Sequence, residues 1–158
     1  MAEVGDLVLS ALGFEAMIDD YGWDQLPSLW ALDTEPDLDT AVPSRGDVWL
    51  AYRRLGEGEP YELLAGVDAA GADGLLLAWE GWDWPPDATP EERRRPPSAH
   101  PDRREVRMVI LAARDGRLVS VARQRGMEPE AFVDEGAGPL LDALQAALER
   151  SRPPDPNG

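Results

Sequence analysis

Val106-Arg107-Met108-Val109-Ile110-Leu111-Ala112-Ala113-Arg114-Asp115-Gly116-Arg117-Leu118-Val119-Ser120-Val121-Ala122-Arg123-Gln124-Arg125 is the stretch from which the fold is read. Two runs rich in β-branched and apolar residues flank Asp115-Gly116, the dipeptide favoured in a two-residue type I′ hairpin turn. That turn predicts Ala112 opposite Val119, Ile110 opposite Val121 and Met108 opposite Arg123. On the other face it sets Ala113 against Leu118, Leu111 against Ser120 and Val109 against Ala122. Near the turn the ribbon is apolar on both faces, which places both strands inside a sheet.

Working outward, Leu75–Trp79 reads as a short buried strand that continues towards Trp82 and Trp84 and ends at Pro85-Pro86. Leu26–Leu32 reads as another strand, entered through Pro27. Val4–Asp20 carries Val4, Leu7, Val8, Ala11, Leu12, Phe14 and Ile18 at helical spacing, with Gly22 as its stop. Gly138-Pro139 opens a C-terminal helix whose stripe is Leu140, Leu141, Leu144, Ala147 and Leu148. Val48–Leu55 fits strand or helix, and Pro60–Leu64 opens a short helix. The expected fold class is α+β: an antiparallel sheet with the N- and C-terminal helices packed on one face. Residues 1–150 form one compact domain with loops over 33–46 and 85–104, and 151–158 is a disordered Pro-rich tail.

Composition limits the chemistry. In 158 residues there are 31 acidic and 15 basic side chains, a formal charge of −16. All the basic residues are Arg; there is no Lys, no Cys, and one His, His100. A Schiff-base or P-loop lysine, a thiol nucleophile and a Cys-based zinc site are thereby excluded. The charge is unevenly spread: residues 1–44 carry −10, whereas 91–127 carry +5. The longest apolar run, Met108–Ala113, falls far short of the ~20 residues of a membrane span. The N-terminus does not read as a secretory leader, and with no Cys the expected location is cytoplasmic.

Tyr21-Gly22-Trp23-Asp24-Gln25-Leu26-Pro27, Leu29-Trp30-Ala31-Leu32 and His100-Pro101-Asp102-Arg103-Arg104-Glu105-Val106-Arg107 resemble an uncharacterised family of small acidic actinobacterial proteins with a Gly-Trp-Asp-Gln-x-Pro motif. The resemblance implies a high-GC bacterial origin and a single compact domain; it implies no activity, cofactor or site residue.

Candidate sites follow from residue type and position. Asp33-Thr34-Glu35-Pro36-Asp37-Leu38-Asp39 spaces acids like the start of a calcium loop, but Leu38 stands where that loop needs Gly and Ser44 where it needs Glu. It reads as a solvated acidic loop. Trp82 and Trp84, with Asp83 between them, suit an aromatic surface for an extended or Pro-rich peptide, while Trp79 belongs to the core. Trp23 and Asp24 could meet a ligand, although a helix stop and corner packing explain them as well. His100 reads as a solvated loop histidine. The arginines of 93–125 suit pairing with acids, with Arg114 and Arg117 as contacts for a local anion; the overall charge speaks against nucleic acid. No residue pattern names a catalytic group, a metal site or a cofactor. The expected function is a non-catalytic acidic interaction module, an adaptor, chaperone-like protein or inhibitor, binding a basic protein or peptide partner and no membrane, or pairing as a homodimer. The alternative is a carboxylate- or metal-dependent hydrolase.

Overall fold

The structure, a computed structural model, describes residues 4–33, 42–43, 49–68, 72–134 and 138–151. The acidic loop expected over Asp33–Asp39 lies, but for Asp33, outside the described residues, as does the tail expected over 151–158, but for Ser151. Elements follow in the order α1 (Val4–Asp20), β1 (Ser28–Asp33), β2 (Val42–Pro43), β3 (Trp49–Glu57), α2 (Pro60–Gly66), β4 (Gly74–Asp83), β5 (Arg104–Ala113), β6 (Leu118–Gln124), β7 (Glu130–Val133) and α3 (Pro139–Arg150). Among the described residues, seven strands form one sheet in the order β2-β3-β1-β4-β5-β6-β7. Each neighbouring pair is antiparallel. The α+β class and antiparallel sheet are thus as the sequence indicates.

The placement of the helices is not. Leu75 and Leu77 of β4 pack with Leu141, Leu144 and Leu148 of α3, whereas Leu76 and Ala78 pack with Leu7, Phe14 and Ile18 of α1. Successive strand residues point to opposite faces, so α1 covers one face of the sheet and α2 with α3 the other. The expectation of both terminal helices on one face is corrected. The physical reason is in the strands themselves. Leu75-Leu76-Leu77-Ala78 and Val109–Ala112 are apolar at every position, and a sheet with one wet face would alternate instead.

The hairpin exists, but its register differs by one residue. Ala113 N–H donates to Arg117 O at 2.9 Å and Gly116 N–H to Ala113 O at 3.0 Å. Arg114, Asp115 and Gly116 therefore make a three-residue loop, with Gly116 at φ +89° in the left-handed region. Leu111 now faces Val119 and Val109 faces Val121, all four buried beneath α1. The expected register would have opposed Leu111 with Ser120. A one-residue slip changes every cross-strand partner, and burial of four apolar side chains fixes the choice.

Val48–Leu55, ambiguous in sequence, falls mostly in strand β3, and Pro60 opens α2 after Glu59, whose carboxylate accepts from Glu62 N–H at 2.7 Å. Strands β3 and β4 flank β1 on its two sides, and α2 carries the chain across between them. The segment 85–104 is also more ordered than a plain loop. Thr89 and Glu92 bond reciprocally, each backbone N–H to the other's side chain at 3.1 Å, where the chain enters a 3₁₀ turn at Glu92–Arg94. His100 is buried rather than solvated, a second correction. Its Nδ1 accepts from Asp102 N–H at 3.0 Å, so a neutral ring carries its proton on Nε2 and donates it to Glu92.

Candidate functional site

The arginines of 93–125 are largely engaged within the chain. Arg107 on β5 is buried and lies directly opposite Arg123 on β6, two like charges that would repel unaided. Glu15 of α1, wholly buried, sits between them. It accepts from Arg107 Nη1 at 3.1 Å and from Arg123 Nη2 at 2.7 Å and Nε at 2.9 Å. Asp19 adds a 2.8 Å bond to Arg107, and Gly22 O accepts from Arg107 Nη2 at 2.7 Å. This cluster locks α1 onto the sheet, and Glu15 and Asp19 keep Arg123 more firmly protonated than usual. Arg107 Nε is buried without a hydrogen-bond partner.

The sequence-named residues occupy several separate places. Trp23 follows α1 and stacks under the Arg107 guanidinium, 4.4 Å from the ring centre, with Arg125 at 5.6 Å. Asp24 adopts φ +67°, and its N–H and that of Gln25 donate to the two oxygens of Glu80 at 2.8 and 3.1 Å. Asp24, Glu80 and Glu105 bring three carboxylates within 4.8 Å of one another. Both Glu80 oxygens hold backbone N–H groups, and Glu105 holds Arg125 at 2.8 Å. In this corner Glu80 and Glu105 already hold partners.

Trp82, 44% exposed, carries Arg103 4.6 Å above its ring, so one side of its face is taken. Trp84 lies beyond the end of β4, donates Nε1–H to Arg95 O at 3.2 Å and meets Arg93 at 5.7 Å. These two tryptophans anchor the 85–104 segment against the sheet end. Arg114 donates to Ala72 O, to Leu148 O at 2.8 Å and to Ser151 O at 3.4 Å, tying the C-terminus of α3 to the hairpin. Arg117 bonds Asp115, whose carboxyl it holds below the usual carboxylate range. As anion contacts, both would have to leave these partners.

A further apolar feature has no counterpart in any single stretch of sequence. On the α3 face lies a groove of about 480 Å³. Its floor is Trp79 of β4, Met108 and Ile110 of β5 and Ser120 of β6. Phe132 of β7 forms one side; Tyr61 of α2 and Gly138–Leu141, at the start of α3, form the others. It exists because α3 starts mid-sheet and runs towards the hairpin end. Leu75 and Leu77 lie beneath α3 and are buried, while Trp79, Met108, Ile110 and Phe132 are only half-buried. On the opposite face the matching positions Leu76, Ala78, Val109 and Leu111 are all buried under α1. A volume in this range suits a small ligand or a few side chains of a partner. Trp79 was legible as apolar and inward-facing. Phe132 belongs to the four-residue β7, too short to announce itself by alternation.

No family model, curated protein or solved structure matches this chain. Among the described residues, no helix is long and apolar enough to cross a membrane.

Proposed function

We propose that the protein is a non-catalytic acidic interaction module of the cytoplasm that docks an apolar, basic segment of a protein partner. The observation that carries this reading is the groove over Trp79, Met108, Ile110 and Phe132, an open apolar hollow on the α3 face of the sheet. A contiguous apolar surface of this kind is the usual mark of an interaction or ligand site. Charge supports a basic partner. The chain carries −16, and its buried arginines are answered internally, so the long-range field seen by an approaching partner is negative. Around the groove, Asp83 lies on the same strand face as Trp79, Glu130 on the same face as Phe132, and Asp142 in the first turn of α3. The hydrolase alternative gains little from the Asp24, Glu80 and Glu105 corner, where Glu80 holds two backbone N–H groups and Glu105 holds Arg125.

Titrating the protein with basic apolar peptides, helical and extended, at low and high salt tests this. Binding that weakens with salt and is lost in Met108→Arg, which sets a charge of the partner's own sign on the apolar groove floor, supports the reading. Absence of any Met108→Arg-sensitive binding refutes it.

A further inference from the structure

We infer that the occupant of the groove is an amphipathic α-helix of the partner, with an apolar stripe against the sheet and basic residues along its flanks. This deepens the docking reading above and rests on it. The argument is one of layers. Strands β4 and β5 each run ten residues, about 33 Å. On one face a helix of 17 residues, about 25 Å, buries their apolar positions. On the other, the 12 residues of α3 give about 18 Å, and they begin at the groove and run away from it. Sheet faces are stably covered by helices, and among the described residues no helix lies over Trp79, Met108 and Phe132 on this face.

A strand is the poorer fit. The outer edge beside the groove is β7, only four residues long, and Asp134 closes it back onto β6. Asp134 N–H donates to Leu118 O at 2.8 Å, and its carboxylate accepts from Leu118 N–H at 3.2 Å, with φ at +53°. Strand addition needs a longer free ladder than this edge offers. The acids Asp83, Glu130 and Asp142 around the groove, with Arg104 already bonded to Gln124 at 2.7 Å, favour basic flanks.

Two labelled Leu/Lys peptides of identical composition and about 14 residues, a length marginal for an isolated helix, form the test. One spaces Leu at i, i+3, i+4 and i+7, and the other alternates Leu and Lys. Fluorescence anisotropy reads affinity and circular dichroism reads helix gained on binding. The helical peptide is expected to bind at least about tenfold more tightly and to gain helicity. That binding should fall about tenfold or more in Met108→Arg and in Phe132→Ala, the latter on the edge strand serving if the former does not fold. Equal or tighter groove-dependent binding of the alternating peptide overturns the helix and leaves the docking site standing. Failure of both peptides to bind in a variant-sensitive way overturns the docking site and the helix together.

Discussion

Glu15→Leu probes the cluster that holds α1 to the sheet. The Glu15 side chain is 0% exposed and that of Arg107 is 1% exposed, so removing the carboxylate strands a guanidinium in the interior. Breaking a buried pair from one side typically costs about 3–5 kcal/mol. Here Arg107 keeps Asp19 at 2.8 Å and Gly22 O at 2.7 Å, which puts the expectation near the lower end, about 3 kcal/mol. For a domain of this length that corresponds to a fall in Tm of about 6–12 °C. Arg107→Met should cost a similar amount, since Glu15 then keeps only Arg123. The double variant Glu15→Leu/Arg107→Met replaces the innermost charges by apolar groups, and its cost should undercut the sum of the singles by more than about 1 kcal/mol. Urea unfolding followed by circular dichroism and tryptophan fluorescence measures all four chains. A single-variant cost below about 1 kcal/mol, or strict additivity, would refute the view that this cluster is a coupled buried unit.

Gly74→Ala should destabilise by about 1–3 kcal/mol in the same assay, because the new Cβ would lie 2.8 Å from Ala112 O and 3.2 Å from a Leu111 methyl. An unchanged midpoint would show that β4 and β5 can separate there. Acid should release the 85–104 segment. The Glu92 carboxyl is held below its ordinary value chiefly by the Thr89 backbone N–H, then by the Thr89 side chain and by His100. A depressed folded pKa gives stabilisation that is present above the unfolded value and lost as pH falls through the folded one. Tryptophan fluorescence should therefore report a transition below the ordinary glutamate range that is absent in Glu92→Gln; an identical profile in both chains would count against it.

Element type was legible wherever local chemistry dominates. Val4–Asp20, the Pro60 and Pro139 helix starts, and the strands either side of Asp115-Gly116 follow from periodicity and turn residues within a few positions of each other. The hairpin register was not. Asp-Gly suits both a two-residue turn and a loop of three with glycine left-handed, and the choice fell to Val119 and Val121 meeting Leu111 and Val109 under α1. His100 reads as a loop residue because Pro and Arg surround it. Its burial depends on Glu92 being eight positions away in sequence yet in hydrogen-bond contact. Of the named site residues, Trp23 and Asp24 do come together with Glu80, Glu105 and Arg125, and Trp82 sits opposite Glu105. The groove itself draws on six elements and could not be assembled from any one of them.

The sequence by itself determined the α+β class, the antiparallel ribbon, the terminal helices, and an acidic chain without Lys or Cys. Those are consequences of side-chain period, turn preference and composition, all local or additive quantities. Only the tertiary structure decided that the helices take opposite faces, that Arg107 and Arg123 are neutralised from α1, and that among the described residues no helix covers the apolar groove on one face. Each of these depends on which residues meet across long sequence separations, where burial of apolar area and pairing of charge outweigh local preference.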